Sequence, residues 1–282
     1  MVKRINKWLM ICVIITLSCN NKNGVDSFSI NVNDSVSVII PSRSLTKQVY
    51  VKGGSYKPFY GSNDSLVKVK PFLIDEHPVT NGAFLNFVKA NPQWRRSAVQ
   101  AIFADSTYLH DWVSDTILPK NANSDAPITY ISWFAAKAFA ASVGKRLPTL
   151  DEWEFVAMAN ETTYNARKLK SYSDDIVNLY LIKDKQYHTI KQSKPNYWGV
   201  YNMFDLIWEW TDDFNSVLIT GDSRDGGTDD KGLFCAGAAT NATDILNYAA
   251  FMRFGFRSSL KANYTISNLG FRCVKDTSIL VE

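Results

Sequence analysis

Histidine and cysteine are both scarce in this chain. His77, His110 and His188 are the only three histidines among 282 residues, and no two are four apart or in an HExxH frame. A catalytic zinc or non-haem iron centre therefore lacks ligands at the usual spacing, and each histidine is expected on a loop or at the surface. A GxSxG elbow and a P-loop are also missing, which removes the common hydrolase and NTPase signatures. The 31 Lys and Arg are interspersed with 27 Asp and Glu, for a formal charge of +4. There is no basic stripe of the kind a nucleic-acid partner requires, so no DNA or RNA binding is expected.

The N-terminal apolar run, Trp8 to Leu17, is about half the ~20 residues needed to span a bilayer. Behind Lys3, Arg4 and Lys7 it fits the core of a signal peptide, residues 1–18. The ending "TLSC" resembles the lipobox of bacterial lipoproteins. The resemblance implies that Cys19 becomes a lipidated N-terminus, anchored in the membrane of a bacterial cell envelope and facing the periplasm or the cell surface. Ordinary cleavage to a soluble secreted product is the alternative. Residues 19–48 are rich in Asn and Ser and read as a polar tether. Of four cysteines, Cys12 leaves with the leader, so only Cys235 and Cys273 belong to the folded domain, in a compartment that permits disulfides.

The chain as a whole is 46% hydrophobic and 13% aromatic, enough for a packed core. "VYVKGGSYKPF" and "LVKVKPFLIDEHPVT" alternate or run apolar and β-branched, which predicts strands. Thr80 caps a helix with Ala83, Phe84, Phe87 and Val88 on its buried face, ending near Asn91-Pro92. A second helix follows Ser132 and stops at Gly144. A third begins at a capping box, Thr149 with Glu152. Beyond Asn160 no long periodic segment is visible. No repeat and no linker divides the region, so residues 49–276 read as a single loop-rich α+β domain with a short tail, 277–282.

Five ordered stretches carry a resemblance. They are "GGSY" at 53–56, "FLIDEHPVTNGAFLNFV" at 72–88, "PITYISWFAAKAFAASVGKRLPTLDEWEF" at 127–155, "NYWGVYNMFDLIWEWTDDF" at 196–214 and "SNLGFRC" at 267–273. Together they resemble the formylglycine-generating enzyme, or sulfatase-modifying factor, family. That implies a loop-rich variant of the C-type-lectin-like fold. The insert at 90–112 is similar to a subgroup described as accessory proteins of copper nitrite reductases.

The family's aerobic enzymes oxidise a substrate cysteine with two cysteines that bind Cu(I), set before an Arg-rich strand. Soft thiolates suit that ion. The matching stretch here, "CAGAATNATDILNYAAFMRFGFRSS" at 235–259, has no cysteine after Cys235. The first catalytic position falls at Ala242 or Asp244 and the second at Asn247 to Ala249. Copper oxidase chemistry is therefore expected to be absent, with no redox cofactor. Cys273 matches a family cysteine whose usual disulfide partner is Ala140 here, which leaves it a buried free thiol or bridged to Cys235. The family also binds calcium; Asn178 and Glu209 match two ligands, and one ion is expected at most. The acidic loop "GDSRDGGTDDKG" at 221–232 lacks EF-hand spacing and reads as a solvated turn.

The resemblance further places Trp133, Arg253, Arg257 and Asn268 around a binding groove. The expected function is a lipid-anchored, non-catalytic binding or accessory module for an exported protein, a copper nitrite reductase being one candidate. The alternatives are a metal-dependent oxidoreductase of the wider family and a structural lipoprotein of a surface or secretion machine.

Overall fold

The computed structural model describes residues 46–60, 66–169, 171–216 and 247–277, all within one compact unit, Val38–Glu282. The leader, the lipidation site Cys19, the tether up to residue 45, Cys235, the acidic loop at 221–232 and the positions Ala242 and Asp244 lie outside the described residues, while Gln48, assigned to the end of the tether, opens a strand instead.

The two stretches predicted as strands supply the first four strands, and an unpredicted third segment near the C-terminus joins them. β1 (Gln48–Val51), β4 (Phe72–Asp75) and β7 (Val274–Asp276) make a three-stranded antiparallel sheet in the order β1-β4-β7. Val51 stands opposite Phe72, and Ile74 opposite Val274. β2 (Gly54–Tyr56) and β3 (Val67–Val69) pair beside it.

α1 (Asn81–Ala90) starts where the Thr80 hydroxyl accepts from the Ala83 amide, at 3.3 Å. It buries Phe84, Phe87 and Val88, while Ala83 is only half-buried. α2 (Trp133–Ser142) is capped by Ser132 and ends before Gly144, whose φ of 66° is the left-handed conformation that closes a helix. α3 (Leu150–Ala157) has the complete capping box: the Thr149 amide donates to Glu152 Oε2 at 2.8 Å, and the Glu152 amide to Thr149 Oγ1 at 3.2 Å. The main core lies between α1 and α2, where Phe84 stacks on Phe139 at 5.8 Å and meets Phe87 at 5.2 Å.

Two helices lie where the sequence shows no long periodicity: α4 (Tyr172–Tyr180) and α5 (Tyr248–Ser258). α5 covers the stretch expected to be an Arg-rich strand. Its buried positions are Ala249, Ala250, Arg253, Phe254 and Arg257, a helical spacing in which two of the inward residues are cationic.

A short parallel pair, β5 (Trp208–Glu209) with β6 (Leu269–Gly270), joins the "WEW" and "NLGFR" stretches. Gly270 is required there, because a Cβ would stand 2.2 Å from the Ile128 carbonyl oxygen.

Candidate binding site

Arg253 and Arg257, one turn apart on α5, project inward to a shared carboxylate rather than onto a groove wall. They are 2% and 3% exposed. Arg253 grips Glu154 of α3 through Nε and Nη2 at 2.9 and 2.7 Å, and Arg257 Nη1 donates to the same carboxylate at 2.7 Å. Both guanidiniums lie over the Trp153 ring, at 5.6 and 4.5 Å. Burial alone would raise the Glu154 carboxyl, but the two arginines hold it below the usual range.

Trp133 belongs to a different neighbourhood. It donates to the Thr211 carbonyl at 3.1 Å and packs against Phe214, with Lys137 over its ring. Asn268 is half-buried, and its carbonyl receives the Trp208 amide at 2.8 Å.

Glu209 has a structural partner. Arg272 forms two parallel bonds to its carboxylate, both 2.7 Å, and Trp153 Nε1 adds a third at 2.8 Å. Both side chains are completely buried. Glu209 has little acceptor capacity left for calcium, and Asn178 is exposed on α4. Beside Asn178, the buried Lys185 ammonium donates to the carbonyls of Leu179 and Phe204, at 2.9 and 3.0 Å. The chain thus places a cation of its own on these oxygens, and the residues do not fit a calcium ion held by Glu209.

Among the described residues there is no thiolate pair for Cu(I) either. Cys273 is free and fully buried. Burial, reinforced by Asp75 and Glu209, pushes its thiol well above the ordinary range. It shares a buried core with Ala140, the family's partner position. Asn247 and Ala249, where the second catalytic cysteine would fall, start α5: Asn247 caps it by accepting from the Ala250 amide, and the Ala249 amide donates to Ser173. His77 lies on a loop, as expected, and is buried there with Nδ1 2.8 Å from the Pro78 carbonyl oxygen; burial lowers its pKa.

The feature that sequence reasoning missed is a cavity of about 400 Å³ whose lining includes Leu109, Asp111, Trp112, Leu118, Tyr130 and Tyr187, within the size range of small-ligand sites. The insert builds one wall of it. Arg96 fans its guanidinium across four carbonyls of the turn at 109–113, the shortest bond being 2.8 Å to Trp112. Arg95 meanwhile caps the end of α1 through the Val88 and Lys89 carbonyls. Asp105, Thr107 and Thr265 bond the insert to the segment before β6.

Two bulky residues of the cavity, Leu109 and Tyr130, hold positive φ of 49° and 55°, and the Leu109 amide donates to the Tyr130 carbonyl at 3.1 Å. Such backbone persists only where the surroundings over-determine it, often at binding sites. A wider recess of about 700 Å³ is lined by Arg146, Glu152 and Asp276, whose charges already pair with one another.

A family model for the sulfatase-modifying factor enzyme 1-like domain matches residues 37–277. The chain belongs to that family. Among sulfatase-modifying factor-like proteins it is 28% identical over 253 residues to the formylglycine-generating enzyme of Streptomyces coelicolor, covering 76% of this chain and 81% of that protein. It is also 28% identical over 247 residues to the inactive C-alpha-formylglycine-generating enzyme 2 of Bos taurus, covering 73% and 78%. The solved structure of PvdO from Pseudomonas aeruginosa aligns with a TM-score of 0.46 at 14% identity, over 83% of this chain and 95% of that one.

Proposed function

We propose that this sulfatase-modifying factor-like chain is a binding or accessory module without copper oxidase activity, held at the cell envelope by a lipid on Cys19 and serving an exported protein. A copper nitrite reductase is the candidate partner. The observation that carries the reading is the missing thiolate pair: residues 236–259 contain no cysteine, and the start of α5 puts a helix cap and a buried alanine where a second thiolate would be needed. The remaining described thiol, Cys273, is sealed in the core, far from the conditions that favour a thiolate. A relative carrying the name of an inactive formylglycine-generating enzyme is in keeping with loss of the oxidase chemistry.

The test is to expose the full chain to Cu(I) anaerobically, desalt it, measure copper by mass spectrometry, and then supply oxygen and a cysteine-containing peptide. Well under one copper per chain and no aldehyde on the peptide are expected. Stoichiometric copper with aldehyde formation overturns the proposal.

A further inference from the structure

The cavity beneath the 109–113 turn has a chemical bias. Its lining contains one charged side chain, Asp111, set among tyrosines, buried Trp112 and neutral amides. Tyr187, 55% exposed, directs its hydroxyl towards Asp111 Oδ2 at 3.5 Å. Tyr130 lies against the His110 ring at 5.3 Å, and His110 Nδ1 is 3.2 Å from Asp111 Oδ1. Tyr130, Asp111 and Tyr187 all line this one space, and burial first, then Asp111 and Tyr187, raises the Tyr130 phenol. Among the described residues, no lysine or arginine pairs with Asp111; its single ion-pair partner is His110.

We infer that this cavity receives the cationic side chain of an arginine or lysine presented by the partner protein. A carboxylate lacking a permanent cation, flanked by aromatic faces, attracts a guanidinium or ammonium through both the ion pair and the ring quadrupoles. The apolar walls from Leu109, Trp112 and Leu118 suit the methylene stem of such a side chain. Anionic ligands are disfavoured, because the lining offers them no cation. The Arg96 fork fixes the carbonyls of the turn that carries Asp111, so the receptor is held in shape before binding. This inference rests on the reading of the chain as a binding module and names what that module grips.

The probe is N-acetyl-arginine amide, titrated into the full chain in detergent micelles by calorimetry, with the citrulline analogue as its uncharged isostere. Saturable binding with a dissociation constant on the order of 1 mM is expected for one side chain, with at least tenfold weaker binding of citrulline. Asp111→Asn should weaken arginine binding at least tenfold, and Tyr187→Ala about fivefold. Asp111 and Tyr187 both reach solvent, so unchanged unfolding midpoints in these variants are the check on folding. Equal binding of arginine and citrulline, binding that survives Asp111→Asn, or no binding at all overturns the inference. The probe needs neither partner nor copper, so its failure leaves the accessory reading to the copper and aldehyde test above.

Discussion

Replacing Glu154 by Gln tests whether the α3–α5 junction is held by charge. The carboxylate is 6% exposed and takes three bonds from two guanidiniums, at 2.7–2.9 Å. Glutamine keeps the shape but removes the negative charge, and its amide nitrogen faces N–H donors. Two buried cations then lie side by side among the described residues without a counter-charge. Breaking a buried pair by removing one partner costs about 3–5 kcal/mol, a large part of the roughly 5–15 kcal/mol available to a domain. Arg257→Met should behave differently. It gives up one bond and the contact with Trp153, but it relieves the excess of cations and leaves the bidentate Arg253–Glu154 pair intact, so a loss of about 1 kcal/mol is expected. Urea unfolding of the three proteins at pH 7 gives the ordering directly. There is also a pH signature: a carboxyl lowered by folding stabilises above its unfolded value, and that contribution is lost as pH falls through the folded one. The wild type should therefore lose stability on acidification more steeply than Glu154→Gln. Equal losses for Glu154→Gln and Arg257→Met, or a loss below about 1 kcal/mol for Glu154→Gln, would refute the reasoning.

Asp75 gives the opposite pH dependence. Burial raises its carboxyl to about 6 despite Lys145 at 2.5 Å. Its contribution is therefore present below about pH 4 and lost as pH rises through 6, and the wild type should lose about 3 kcal/mol relative to Asp75→Asn across that window; parallel curves for the two proteins would contradict it. Because Glu209 is saturated by Arg272 and Trp153, adding calcium or a calcium chelator should leave the unfolding temperature unchanged; a rise with calcium would show a site elsewhere. Gly270→Ala should cost about 3 kcal/mol through forced separation of β6 from the Ile128 carbonyl, measured by urea unfolding, with a loss under about 1 kcal/mol counting against it. Cys19→Ala should move the protein from the membrane fraction to the soluble one on cell fractionation; an unchanged distribution would remove the lipid anchor.

Local signals were enough for the N-terminal half of the domain. Thr80, Ser132 and the Thr149–Glu152 box each act within one helical turn, so the first three helix starts are legible from residue order alone. The alternating strands are legible for similar reasons, whereas the need for glycine at 270 is not, because the distant Ile128 carbonyl sets it. α5 was hidden because its inward face carries Arg253 and Arg257 among the apolar residues and its interior contains Gly255, so two charges interrupt the buried stripe that would mark a helix. α4 was hidden because no capping side chain marks its start and only Tyr172 and Ile176 are buried along it.

By itself the sequence determined the family, the α+β class and the loss of the thiolate pair, because each is written in residue types and their order. Only the tertiary structure decided that Arg253 and Arg257 serve Glu154, and that Glu209 is bound by Arg272, 63 residues away along the chain. It alone brought Asp111, Tyr130 and Tyr187 around one cavity. A buried charge takes whichever partner the packing brings within bonding distance, and that partner is set by how the elements fold against one another.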